Sequence, residues 1–151
     1  MTAQQHVDAE MGRQLDHITQ ENGCLHAVLF TGDGLLKAKS SGIDRADAER
    51  AAAGLTGIGS LSRGLGDFCG TDHLAWRRTI VDFGEHTVMV LTAAANTYLA
   101  VSVAAGLTSD QIVVVTHTAV GVIKAMNEHL GAPERARGTT GNPNPSTYER
   151  V

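Results

Sequence analysis

Five short apolar runs joined by tight turns constrain this chain more than any other feature. Cys24 to Phe30 (CLHAVLF) and Leu35 to Ser40 flank Thr31-Gly32-Asp33-Gly34, whose Asp-Gly step is a strong hairpin signal. His73 to Phe83 (HLAWRRTIVDF), His86 to Thr92 (HTVMVLT) and Thr97 to Ala104 (TYLAVSVA) follow one another across Gly84-Glu85 and the segment 93–96. Connections this short join antiparallel neighbours, because parallel strands need a long crossover. Three helical segments separate and flank these groups. Val7, Met11, Leu15 and Ile18 recur at helical spacing within Val7 to Asn22, with Gly23 placed as a cap. Asp44 can cap a second helix, with Asp47 near its positive end. Thr108 and Gln111 fit a capping box for a third, whose apolar face is Ile112, Val115, Ala119, Val122, Met126 and Leu130, with Gly131 and Pro133 as stop signals. The order α-β-β-α-β-β-β-α defines an α+β fold, a five-stranded antiparallel sheet covered by helices. One domain is expected over 1–133. Residues 134–151, rich in Gly, Pro, Asn and Thr, offer no apolar face and are expected to form a disordered tail.

Composition narrows the function classes. At 151 residues the chain is long enough for one real core, and 4% aromatic content means that aliphatic residues must build it. A net charge of −4 argues against nucleic acid, which rewards a basic face. The N-terminus has no basic segment leading into an apolar run, and no apolar stretch approaches the ~20 residues needed to span a bilayer. A soluble, cytoplasmic protein without membrane insertion is expected. Cys24 and Cys69 lie too far apart for a zinc motif and read as two reduced thiols. The seven histidines show neither HxH nor HExxH spacing, so no metal is expected, and no G-x-S-x-G or Cys/His arrangement supports a nucleophile.

Residues 51–70 (AAAGLTGIGSLSRGLGDFCG) hold six glycines directly after a helix start, although each glycine costs a helix about 1 kcal/mol. A phosphate-cradling loop fails on context and spacing. No strand feeds the glycines, neither Gly57-x-Gly59 nor Gly64-x-Gly66 continues as GxGxxG, and no GK[ST] occurs. No nucleotide or other cofactor is implied. Read as helix at 100° per residue, Ala51, Ile58, Leu61, Leu65 and Phe68 form a core face. Opposite it runs a polar stripe of Arg45, Glu49, Thr56, Ser60, Arg63 and Asp67. Two flanks of small residues lie between them: Ala48, Ala52, Gly59 and Gly66 on one side, Ala46, Ala53, Gly57 and Gly64 on the other. The competing reading breaks the helix near Gly64 into an irregular loop. Small flanks suit a close helix neighbour, and the simplest neighbour outside the domain is the same helix of a second copy.

Element order and local sequence together resemble the Roadblock / dynein light chain family over roughly residues 10–131. The strongest patches are Ala27 to Gly42 (AVLFTGDGLLKAKSSG), Asp44 to Gly64, and Thr79 to Val103. GDGLL, the DR-x-x-AER helix start (Asp44, Arg45, Ala48, Glu49, Arg50) and SLSRG (Ser60 to Gly64) are similar to the actinobacterial conservon members, which lie in operons beside a histidine-kinase-like membrane protein and a Ras-like small GTPase. The resemblance implies a profilin-like fold with helices on both sheet faces. It implies a homodimer in which middle helices pack side by side and third strands, here Ala75 to Asp82, pair into one ten-stranded sheet. The dimer contact expected from it comprises Ala52, Gly57, Gly59, Gly64, Gly66, Trp76, Arg78 and Ile80. Which small flank meets the mate stays open.

The function implied by the resemblance is a non-enzymatic regulator or scaffold for a Ras-like small GTPase, linked to a membrane kinase. The polar stripe is its candidate docking surface: Arg45, Glu49, Thr56, Ser60, Arg63 and Asp67. Arg63 and Arg45 invite comparison with arginine fingers, against the plainer reading of solvated surface charge. The alternative class is a sensory module holding a small ligand between sheet and helices, which the fold alone does not exclude.

Overall fold

A computed structural model of the protein describes residues 2–72 and 74–141, those from 129 onward as backbone. Its elements are α1 (Ala3–Thr19), β1 (Cys24–Thr31), β2 (Leu36–Lys39), α2 (Arg45–Arg63), a 3-10 turn (Asp67–Cys69), β3 (Arg78–Asp82), β4 (Thr87–Ala94), β5 (Thr97–Val103) and α3 (Asp110–Gly141). The sheet runs β2-β1-β5-β4-β3 with every neighbouring pair antiparallel, as the short turns require. In the first hairpin Gly34 adopts φ +87°, a conformation that side chains resist, and Thr31 and Leu35 close the turn with a 2.9 Å bond. Beyond β2 the Ser40 hydroxyl accepts the Ala27 amide at 2.9 Å, extending the pairing by a side chain.

Strand alternation sorts the apolar residues into two cores. On one face Ala27, Leu29, Met89, Leu91, Leu99, Val101 and Val103 meet Met11, Leu15 and Ile18 of α1 and Ile112, Val115, Ala119, Val122 and Met126 of α3. On the other face Val28, Phe30, Val90 and Ala100 meet a single helix, α2, through buried Ala48 and Ala52 and half-buried Leu55 and Ile58, with Ile43 and Trp76 at the margin. Each fully buried Leu or Ile contributes about 1.5–3 kcal/mol, so the two-helix face carries most of the stability and the α2 face is the thinner layer.

Several boundaries differ from the sequence reading for local reasons. α1 starts at Ala3 because Thr2 and Gln5 form a reciprocal capping box. α2 ends at Arg63, so the break near Gly64 is what the chain adopts, with Gly66 packed against the Thr71 carbonyl inside the following loop. β3 begins at Arg78, not His73. Before it, Trp76 is held by side-chain bonds, its indole N–H donating to Thr79 Oγ1 at 2.7 Å and its carbonyl accepting from Thr92 Oγ1 at 3.0 Å. At α3 it is the Ser109 hydroxyl, not a Thr108 capping box, that accepts the Gln111 amide at 3.1 Å. α3 continues to Gly141, past Gly131 and Pro133. Proline forfeits one helix hydrogen bond, and the helix formers Glu134, Arg135, Ala136 and Arg137 follow it. The expected tail therefore begins inside this helix, and its remainder, 142–151, lies outside the described residues.

Candidate interaction surface

α2 is turned relative to the orientation expected for it. Ala48, Ala52 and Gly59 are buried against the sheet, whereas Leu61 is 77% exposed, Leu65 53% and Phe68 91%. The small flank forms the centre of the core face, lying over the bulky Phe30 and Trp76, and Ile58 of the expected face packs beside it with Leu55 as a half-buried margin. Ala52 and Gly59 therefore serve the protomer itself and are withdrawn from the expected dimer contact. A side-chain carbon at Gly59 would sit 3.3 Å from the Trp76 ring, and one at Gly66 2.6 Å from the Thr71 carbonyl, so both glycines are explained within the chain. At Gly54 and Gly57 an added carbon meets nothing within 4 Å. The fold of one protomer leaves these two unexplained.

Along one side of α2 the sheet is uncovered. A cleft of about 400 Å³ opens there, walled by Ala51, Gly54 and Leu55 of α2, Ile43 before it, and Val28, Val88 and Ala100 of the sheet. His26 and Ser102 stand at its polar end, and the His26 Nδ1 is buried without a hydrogen-bond partner. Next to this open area lies the free edge of β3. Arg77 accepts the Thr92 amide and Phe83 donates to the His86 carbonyl, so Arg77, Thr79, Val81 and Phe83 direct their backbone groups toward β4. By alternation Arg78, Ile80 and Asp82 present theirs outward. Their side chains share the α1/α3 face of the sheet, while Thr79 bonds Ser62 of α2 on the other face at 2.6 Å. Arg78 and Ile80 are exposed, as a contact strand requires, and Trp76 is half-buried.

The polar stripe does not survive as one surface. Arg45 and Glu49 are exposed and form an ion pair at 2.9 Å, and Ser60 is exposed about three turns further along the same helix. Thr56 turns back, donating to the Ala52 carbonyl at 3.1 Å and lying against the Thr31 carbonyl of the first hairpin. Arg63 lies over the Trp76 and Tyr98 rings, 5.9 and 5.5 Å from their centroids, and donates to the Tyr98 hydroxyl at 2.7 Å. Asp67 belongs to the loop after the helix. Thr56 and Arg63 thus clamp α2 onto the sheet, and Arg45, Glu49 and Ser60 remain the free polar group. Sequence reasoning missed the cluster of Arg63, Trp76, Tyr98 and Thr79, because it joins residues as far as 35 positions apart. It also missed the exposed apolar loop carrying Leu65, Phe68 and Leu74.

Among the described residues no group of three or more His, Cys, Asp or Glu can hold a metal, and no helix is long and apolar enough to cross a membrane. Both cysteines are free. Burial, aided by the nearby Glu21 charge, raises the Cys24 thiol from its ordinary 9.0 to about 11. This side of the molecule combines an open strand edge, an apolar cleft and exposed leucines at 61, 65 and 74.

A Roadblock/LC7 domain profile matches residues 11–102, more than half of the chain, and the chain belongs to this family. Its fold is similar to a Roadblock/LC7 domain from Streptomyces avermitilis, 29% identical, with a TM-score of 0.70 over 80% of this chain and 98% of that one. It is also similar to Myxococcus xanthus MglB (11% identical, TM-score 0.68, 82% of this chain and 90% of that one). The gliding protein MglB of Thermus thermophilus gives 14% identity and a TM-score of 0.65 over 85% and 91%. None of the curated proteins matches the chain significantly.

Proposed function

We propose that this protein is a non-enzymatic, homodimeric regulator of a Ras-like small GTPase, a scaffold rather than a catalyst. The observation that carries the homodimer is the one-sided layer over the α2 face. One helix covers a five-stranded sheet, leaving an apolar cleft and an unpaired β3 edge side by side. An unblunted edge is a template for another strand, and a twofold second copy supplies both a strand and a helix at once. Pairing of the outward groups of Arg78, Ile80 and Asp82 gives a continuous ten-stranded sheet. The GTPase role rests on membership of the Roadblock/LC7 family. Its docking surface is the outer side of the paired α2 helices, with Arg45, Glu49 and Ser60 of both copies exposed there. Arg63 is committed to Tyr98 and Trp76, which favours regulation by ordering the GTPase's own residues over an arginine donated from position 63. The likeness to conservon members adds a finer reading, a cytoplasmic complex recruited to the membrane through a histidine-kinase-like partner.

The test uses light scattering and surface-immobilised binding. A dimer at micromolar concentration, and capture of a Ras-like GTPase from the same genome with a preference between its GDP- and GTP-analogue-loaded forms, is the expected result. A monomer at that concentration overturns the dimer, and equal, negligible binding of both nucleotide states by every such GTPase overturns the regulatory role.

A further inference from the structure

The turn that joins α1 to β1 carries a reactive dipeptide, on the far side of the molecule's chemistry from the α2 surface. Asn22-Gly23 is the only Asn-Gly step in the chain; the asparagines at 96, 127, 142 and 144 precede Thr, Glu, Pro and Pro. Asn22 is exposed, and Gly23 holds φ +86°, the left-handed conformation that glycine takes just past a helix end. The backbone around the pair is tied on both sides. The Glu21 amide donates to the Ile18 carbonyl at 3.1 Å, the Cys24 amide to the Glu21 carbonyl at 3.1 Å, and the Gly23 carbonyl accepts the Ala104 amide at 2.7 Å. The Gly23 amide takes part in none of the described backbone bonds of this turn. Asn127, by contrast, is part-buried with its side-chain amide held on the Ala93 carbonyl at 2.8 Å.

We infer that Asn22 is a site of spontaneous deamidation, and that the modification loosens the junction where α1, β1 and α3 meet. The Gly23 amide nitrogen, deprotonated by hydroxide, attacks the side-chain carbonyl carbon Cγ of Asn22. The N–Cγ bond forms, the Cγ–Nδ2 bond breaks, and ammonia leaves with a proton taken from water. The five-membered succinimide that results is opened by water at either of its two carbonyls. One opening leaves an ordinary aspartate at position 22, and the other leaves isoaspartate, with the main chain routed through the β-carbon. No electron is gained or lost, and the only co-reactants are water and hydroxide. Glycine matters twice: it has no side chain to shield its nitrogen, and that nitrogen is not drawn into a backbone bond. Both products place a second carboxylate beside Glu21, whose Oε1 accepts the Thr118 hydroxyl of α3 at 2.8 Å, and like charges so close repel. Isoaspartate also lengthens the main chain by one carbon in a tightly packed turn. A side-chain carbon built on Gly23 would lie 3.0 Å from Gln111 Oε1 of α3, so the added length has no room on that side. The bond from Ala104 to Gly23, which fixes the start of β1 beside the end of β5, is the one placed to break. Cys24, the first residue of β1, then opens to solvent.

The full chain is aged for days in mildly alkaline buffer and mapped by mass spectrometry of its peptides. The peptide holding Asn22 is expected to gain one mass unit, as NH2 is replaced by OH, and to be labelled by an isoaspartyl methyltransferase. Conversion at Asn22 should run at least tenfold faster than at Asn96 or Asn127, and its rate should rise with hydroxide concentration. Asn22→Gln keeps the amide but would need a larger ring, and should abolish the change. A free peptide of residues 19–26 sets the rate without the fold. An Asn22 that stays intact while this peptide is fully converted overturns the site, because the folded turn then holds the two groups apart. The structural consequence is read at Cys24. Aged wild-type protein should be alkylated there at least threefold faster than fresh protein. Freshly prepared Asn22→Asp, which adds the charge without the extra carbon, should fall short of that gain. Complete conversion at Asn22 with no change at Cys24 overturns the loosening of the junction.

Discussion

At the scale of single residues, Arg63 shows how context reassigns a charge. An arginine in SLSRG reads first as a plain surface charge, with a finger for phosphoryl transfer as the sharper alternative. The fold lays its guanidinium across two aromatic rings and onto a phenol. A cation–π contact at an exposed site contributes about 0.5–1 kcal/mol, and a neutral-acceptor hydrogen bond to a cation adds a comparable amount. Arg63→Ala is therefore expected to lower stability by about 1–2 kcal/mol in urea titration, with Arg63→Lys losing less. Trp76 is the only tryptophan, so its fluorescence reports the loss of the stacked arginine directly. Charge reversal at Arg63 is accordingly a poor probe of docking, because it disturbs the clamp as well. Cys24 gives a second prediction. Its folded pKa, about 11, lies above its ordinary 9.0, which favours the neutral thiol in the fold. That contribution is fully present below about pH 9 and is lost as pH rises through about 11. Alkylation under native conditions should modify exposed Cys69 first and Cys24 only on unfolding. Equal rates at both would show that the β1 end opens readily.

At the scale of elements, the sequence specified the apolar face of α1 and the hairpin-linked strands well and the orientation of α2 poorly. Met11, Leu15 and Ile18 are large, periodic and buried, so pattern and packing agree. Asp-Gly at 33–34 and the short turns around β4 set the β1–β2 and β3–β4–β5 neighbours, whereas the central β1–β5 pairing joins strands far apart in the chain and carries no local signal. In α2 the rule that large apolar residues face the core inverted. Ala48, Ala52 and Gly59 are inside and Leu61 is outside, because Phe30 of the sheet and Trp76 of the segment before β3 supply the bulk beneath. Hydrophobic periodicity identifies an apolar face without saying whether the same chain or another covers it. The Arg63 cluster was illegible because its members are far apart in sequence. The α2 glycines yield a prediction with two signs. Gly57→Ala adds a methyl into open space within a helix and should stabilise the isolated protomer by about 1 kcal/mol. Gly59→Ala must displace Trp76 slightly and should stabilise less, or destabilise. Thermal unfolding at dilution separates the two. An equal gain at both sites would mean that Trp76 yields without cost.

At the scale of the whole molecule, the apolar core is divided unequally between the two faces of one sheet, and the proposed function draws on the thinner one. Two helices seal the α1/α3 face, while the α2 face and the β3 edge stay incomplete in a single copy. The edge can be tested apart from the helix. Within β3 the amide of Ile80 points away from β4, so proline there removes an outward donor while sparing the β3–β4 ladder, the one strand position where proline is tolerated. Ile80→Pro should keep the protomer's circular dichroism and lose the dimer by at least tenfold in affinity. At Val81, whose amide faces β4, proline should instead cost stability itself. A fully dimeric Ile80→Pro variant would mean that the helices alone hold the copies together and that the ten-stranded sheet is not formed. The proposed GTPase surface is tested separately from the proposed dimer. Arg45 and Glu49 are an exposed ion pair, worth at most about 0.5 kcal/mol to the helix, so reversing Glu49 to Arg leaves fold and dimer intact. Charges at the rim of a contact act mainly on the association rate. Glu49→Arg is expected to change the rate of GTPase association several-fold at low salt, with the effect shrinking as ionic strength rises. An unchanged rate at low salt would move the docking surface off α2, to the basic cleft between α3 and the start of β3 where Arg77 and Arg78 border Val120 and Ile123.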